Sequence, residues 1–309
     1  MRVLIAAVLS ASVASHCGES AVTGPGKAPS PRLATPGVAQ FIAFGDAGKG
    51  NRGQREVAEA MVDVCRKKGC DFGVMLGDNL YNRGFERPND PRMKARFDDL
   101  YGPLDIPIYG ALGNHDYATG RDTLRAQWQI DWAADHNQME MPAHFYTFEA
   151  GPAEFFALDT NRVFQWGEEE QSDWLATALP ASKARFKIVY GHHPFRSNGR
   201  HGNAGGYEGW RAPWVGGFSL KTLFEDRLCD GADLYLAGHD HNLQYLQWCG
   251  VELVVSGAAA THTEIIDRGN EGLFEASQLG FAWIRLDQNM TLAFYDDRGK
   301  LLFERVVTR

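Results

Sequence analysis

Five short glycine-bearing motifs, each directly behind an apolar β-type run, constrain this chain more than any other feature. They are GDAG after FIAF, GDNLY after FGVML, GNHD after IPIYGAL, GHHP after FKIVY and GHDH after LYLA. Together they carry seven side chains of metal-ligating type: Asp46, Asp78, Tyr81, Asn114, His192, His239 and His241. Short apolar runs closed by glycine read as buried strands, so all seven donors should emerge from strand ends at one edge of a sheet. Loops at such an edge are where α/β folds build their sites.

The donor set describes a two-metal site. The two oxygens of Asp78 can bridge two cations, with Asp46, Tyr81 and His241 completing the first and Asn114, His192 and His239 the second. A phenol with an ordinary pKa of about 10 is a poor ligand for most divalent ions at neutral or acid pH, so Tyr81 points to Fe(3+) at the first position. The nitrogen and oxygen set of the second suits Fe(2+), Zn(2+) or Mn(2+). Two metals roughly 3.5 to 4 Å apart clamp an in-line attack on phosphorus. The expected reaction is therefore hydrolysis of a phosphate ester by metal-bound hydroxide. A trivalent ion acidifies bound water more than a divalent one, which predicts an acidic pH optimum. Outside the ligand set, His115 and His201 are candidates to protonate the leaving alkoxide or to hydrogen-bond a phosphate oxygen. Asp116 stands where it could orient His115.

The N-terminus opens Met-Arg and then runs apolar from Val3 to Leu9, which reads as an export signal over residues 1–16, too short to span a bilayer as a mature helix. Val13-Ala14-Ser15 suits cleavage, while Cys17 invites a lipoprotein reading with a lipid anchor; His16 breaks the small-residue pattern such signals carry. Residues 17–37 are rich in Gly, Ser, Ala, Thr and Pro and read as a flexible linker. One catalytic domain is expected over 38–309. Removing the leader leaves Cys65, Cys70, Cys229 and Cys249, an even number in an exported chain that allows two disulfides in three connectivities. Neighbour pairing, Cys65 with Cys70 and Cys229 with Cys249, is the local-loop expectation. The expected location is the periplasm, the outer surface or the medium.

Along the domain, strands are expected at Ala39 to Phe44, Asp71 to Leu76 and Ile106 to Leu112, with a helix from about Gln54 to Lys67 between the first two. That β-α-β order implies parallel pairing and an α/β fold. HFYTFEAG and EFFALDT read as an antiparallel hairpin turning at Gly151-Pro152. Helices follow over Gly167 to Leu179 and around Leu220 to Leu228. Ser197 to Gly217, with seven glycines, reads as a lid or substrate loop. Asp159 reads as a turn residue ending its strand. The net charge of -8, with Lys and Arg dispersed, leaves no basic stripe for a nucleic acid. A small phosphorylated substrate remains, because bound cations would reverse the local field. The chain is expected to be a monomer.

The motif series resembles the calcineurin-like metallophosphoesterases, specifically the small purple, tartrate-resistant acid phosphatases, over residues 39 to 260. The resemblance implies a four-layer sandwich of two mixed sheets flanked by helices. It also implies the ligand division above, with His115 and His201 matching the two substrate-side histidines. Most calcineurin-like enzymes carry Asp-x-His in the first motif; here Gly48 takes the His position and Tyr81 supplies the missing donor. Ala47 stands where the small acid phosphatases have an aromatic. The expected function is thus phosphomonoester hydrolysis, with a divalent-metal phosphodiesterase or nucleotide hydrolase as the rival. A non-catalytic, metal-containing surface binding protein is a third reading.

Overall fold

The computed structural model of the protein describes residues 24–167, 169–209, 216–229 and 231–308. The leader and Cys17 lie outside the described residues. Two mixed sheets face each other. The first has seven strands, in the order Leu301–Thr308, Asn289–Asp296, Gly280–Leu286, Ala39–Phe44, Phe72–Leu76, Ile108–Ala111 and Met139–Glu140. Its last four strands run parallel and its first three join antiparallel. The second has eight, in the order Gly26–Lys27, Tyr146–Ala150, Ala153–Ala157, Phe186–Tyr190, Leu234–Ala237, Val251–Ser256, Leu243–Trp248 and Gly272–Ala276. Here a parallel run from Ala153–Ala157 to Val251–Ser256 is bordered by antiparallel pairs.

Aromatic side chains weld the two sheets. Tyr109 of the first stacks on Phe148 of the second at 3.7 Å, while Phe41 and Phe72 meet Phe155 edge-on at 5.3 and 5.4 Å. Such offset and edge-to-face contacts add to the area they bury. Helices cover both outer sides. Arg52–Lys68 starts at Asn51, whose side chain accepts from Gln54 N, and buries Val57, Met61 and Val64 at the expected spacing. On the far side, Leu175, Leu179, Phe224 and Leu228 pack over Phe156, Val189 and Tyr235. The architecture is the four-layer sandwich of the metallophosphoesterases.

Two expectations change. The linker over 17–37 is tied to the second sheet at Gly26–Lys27 in its described part, with Ala28 buried and most other residues exposed. Gly26 N and Ala28 N each donate at 2.9 Å to carbonyls of the neighbouring strand, and Pro29 O accepts from Tyr109 OH. Its hold is made by backbone groups, which a side-chain reading does not see. Asp159 begins a helix, Thr160–Trp166, and caps it by accepting from Arg162 N. Both local disulfides form, with Cα separations of 5.0 and 5.1 Å; such pairs persist in oxidising, extracytoplasmic compartments. Among the described residues no helix is long and apolar enough to cross a membrane.

Candidate metal centre

Five of the seven predicted donors follow their strands by two or three residues: Asp46 after Phe44, Asp78 after Leu76, Asn114 after Ala111, His192 after Tyr190 and His239 after Ala237; Tyr81 and His241 lie further along the same turns. The strands are in parallel register at these ends, Leu76 beside Ala111 and Tyr190 beside Leu236. Asp46, Asp78 and His239 have φ of 60°, 55° and 69°, so the chain turns sharply at each in a region that L residues rarely adopt. Ligand atoms of Asp46, Asp78 and His192 all lie within 4.8 Å of one another. Around them, Tyr81 OH donates to Asp46 Oδ1 at 2.9 Å and lies 3.2 Å from His241 Nε2. His192 Nε2 is 3.0 Å from Asn114 Oδ1 and 3.1 Å from His239 Nδ1. All seven donors therefore meet in one crevice.

Gly48 and Tyr81 are locked together. Tyr81 N donates to Gly48 O, and a Cβ at position 48 would lie 2.2 Å from the Asn79 carbonyl oxygen. No side chain fits there without moving the GDN turn. On one side of the Tyr81 ring lies His115 at 4.5 Å between centroids; the Lys49 ammonium also sits 4.5 Å from the ring centre.

Asp116 does something other than orient His115. Its buried carboxylate accepts from Asn79 N, Leu80 N, Gly113 N and Gln129 Nε2, and so ties the GDN turn to the GNHD turn. The His115 ring instead places Nδ1 2.6 Å from Asn82 O, and Nε2 stands 3.8 Å from Asp78 Oδ2. Adjacent residues at a turn point apart, which is why the neighbour in sequence is not the orienting partner. Burial, with Asp78 nearby, raises the Asp116 carboxyl to about 6.

The donors fit cations on their own chemistry. Asp46 and Asp78 are both fully buried, and their charge partners are imidazoles: His241 for Asp46, His192 and His115 for Asp78. Burial pushes the Asp46 carboxyl up, but His241 and His192 outweigh it and bring it to about 2. Burial holds His239 well below the ordinary imidazole value, assisted by the surrounding histidines, so its lone pair is free. His192 Nδ1 donates to Leu76 O at 2.9 Å, which leaves Nε2 to face the carboxylates. His241 Nδ1 is likewise held, 2.9 Å from Thr261 Oγ1. Burial and the two carboxylates push the Tyr81 phenol well above its usual value. Only a strongly charged cation would make it a phenolate here.

His201 reaches the same crevice from the glycine-rich loop, its ring 4.1 Å from that of His239. Two acids of this region were invisible to motif reading. Asp240, between the two histidines of GHDH, is buried and accepts from Ser197 Oγ, His201 N and Gly202 N. Glu208 hydrogen-bonds His201 Nδ1 with its carboxylate. His193 faces away from the two carboxylates, bonded to Thr160 Oγ1 and stacked on Phe164.

A family model described as calcineurin-like phosphoesterase matches residues 39–243, from the first donor-bearing strand through GHDH. The chain belongs to this family. The chain is 30% identical over 253 residues to purple acid phosphatase 17 of Arabidopsis thaliana, covering 72% of this chain and 69% of that protein. To human tartrate-resistant acid phosphatase type 5 it is 28% identical over 318 residues, covering 89% and 92%. Among solved structures, the purple acid phosphatase PPD1 from yellow lupin seeds aligns with a TM-score of 0.65 at 17% identity, covering 89% of this chain and 55% of that one. GAP50, the anchor in the inner membrane complex of Plasmodium, aligns with a TM-score of 0.71 at 22% identity, covering 88% and 89%. Both of these structural likenesses concern the fold.

Proposed function

We propose that the protein is an exported, monomeric binuclear metallohydrolase that cleaves small phosphomonoesters at acid pH. The observation that carries this reading is Tyr81, placed between Asp46 and His241 beside a glycine that admits no side chain. In this reading Asp46, Asp78, Tyr81 and His241 hold Fe(3+), and Asp78, Asn114, His192 and His239 hold Fe(2+), Zn(2+) or Mn(2+). When bound, the pair supplies Lewis-acid activation of water and neutralises charge on the phosphoryl oxygens.

The side chains do the rest. Asp78 accepts from His115 N at 2.9 Å, which fixes the backbone of GNHD against the bridging carboxylate. The Asn82 carbonyl keeps the proton on His115 Nδ1, so Nε2 is the nitrogen turned to substrate. There, as imidazolium, it hydrogen-bonds a phosphate oxygen or gives its proton to the leaving alkoxide. His201 approaches from the opposite wall, over His239. Export to the periplasm, the outer surface or the medium suits both disulfides.

Colour tests the metal assignment. Oxidised protein should contain iron and absorb in the visible, and Tyr81→Phe should lose that band. A colourless, iron-free and fully active protein would overturn the reading. Anomalous scattering at the iron and zinc edges identifies each ion. Rates on a monoester and a diester across pH test the reaction, and faster diester cleavage at neutral pH would favour the rival phosphodiesterase.

A further inference from the structure

We propose that Glu208 is a positioning residue that fixes the tautomer and orientation of His201 at the substrate side of the metal centre; its catalytic consequence rests on the hydrolase reading above. The loop holds His201 from three directions. Asp240 Oδ1 accepts from His201 N at 2.8 Å, and His201 O accepts from Glu208 N at 2.9 Å. The Glu208 carboxylate then closes on His201 Nδ1. Ligand atoms of His201, Glu208 and His239 lie within 4.8 Å of one another, so the carboxylate stands beside two imidazoles of the site.

Further observations separate this arrangement from an ordinary surface ion pair. Glu208 has φ of 56°, a left-handed backbone that L residues rarely adopt and that persists where the surroundings impose it. The neighbouring Tyr207 imposes it here. Its buried ring packs near His193 and His239, and its hydroxyl donates to Pro194 O. The turn that carries Glu208 is thus anchored on the GHHP loop, two residues from His192.

The chemistry follows from what a carboxylate can do. It only accepts, so Nδ1 of His201 carries a proton and Nε2 faces the substrate, accepting from a substrate hydroxyl as neutral imidazole or donating to a phosphate oxygen as imidazolium. Carboxylates of this kind set ring orientation around metal centres, and losing one typically costs about 10- to 100-fold in activity or metal affinity.

The test uses the full-length protein loaded with Zn(2+), with long-range proton–nitrogen NMR of the imidazoles and His201 assigned by His201→Asn. Wild type should carry its proton on Nδ1. Glu208→Ala should release that tautomer and lower kcat/KM on an aryl phosphate about tenfold with metal content unchanged. Glu208→Gln keeps an accepting oxygen and should retain the tautomer and most of the activity. An unchanged His201 tautomer in Glu208→Ala, or a loss of activity that only tracks loss of metal, would overturn the proposal. The NMR readout needs no turnover. If the wild type hydrolyses nothing while Glu208→Ala still shifts His201, the hydrolase reading falls and the positioning role stands.

Discussion

The two sheets bring different chemistry to one crevice. Every oxygen donor, Asp46, Asp78, Tyr81 and Asn114, follows a strand of the seven-stranded sheet, whereas His192, His239 and His241 follow strands of the eight-stranded sheet. Neither sheet holds a complete site. The centre exists only because the Phe41, Phe72, Tyr109, Phe148 and Phe155 contacts hold the two strand edges face to face. Each half also contains one buried motif aspartate outside the set of seven donors, Asp116 and Asp240, and these differ instructively. Asp116 ties two strand-end turns of the oxygen half to each other, whereas Asp240 ties the nitrogen half to a long loop.

That difference predicts unequal costs. Asp116→Ala strands three buried backbone N–H groups and an amide, and should destabilise the protein by about 4 kcal/mol. Asp240→Ala strands two N–H groups and the Ser197 hydroxyl on a loop that can move toward water, and should cost about 2 kcal/mol. Urea midpoints of the two variants measure the difference. An Asp240→Ala cost equal to that of Asp116→Ala would show that the loop is as firmly built as the strand ends.

The same contrast explains what the sequence disclosed. The convergence of the candidate donors at strand ends was legible because an apolar run, a glycine and a polar residue are local signals, and five repeats of that order place them at one edge. The nearness of Tyr81 to Asp46 was legible only as a spacing from Asp78. The partners that orient them were not. Asp116 adjoins His115, yet its carboxylate turns to Asn79, Leu80 and Gly113; that direction is set by tertiary hydrogen bonds. Glu208 is seven residues from His201, and only the fold-back of the loop over Tyr207 joins them. Asp159 gave no strong capping signal because the helix it starts is short and shares its aspartate with Tyr117 and His144. Residues 24–37 carry few apolar side chains, so their backbone pairing left no pattern to read.

Disulfides give a smaller contrast between the halves. Cys65–Cys70 closes a separation of 5 residues beside the seven-stranded sheet, and Cys229–Cys249 closes 20 beside the eight-stranded sheet. On chain entropy alone, replacing the short pair by serine should cost about 2 kcal/mol and the long pair about 3 kcal/mol. Calorimetric unfolding of the two double-serine variants checks the order. A larger loss from the Cys65–Cys70 pair would mean that strain or denatured-state structure, rather than loop length, sets their value.

The smallest effect concerns acid, and it belongs to the oxygen half. Asp90 accepts from Glu86 N, Arg92 N and the Arg92 guanidinium. Burial pushes its carboxyl up, but the hydrogen bonds from Arg92 and from the two backbone N–H groups outweigh it and bring it from 3.8 down to about 2. A carboxyl lowered by folding stabilises the protein above its unfolded value and loses that contribution as pH falls through its folded value. Wild type and Asp90→Asn should therefore differ by a constant amount above about pH 4 and converge as pH approaches 2. Denaturation midpoints from pH 7 to pH 2 decide it, and a gap that stayed constant to pH 2 would mean that Asp90 holds its loop by geometry alone, without the charge.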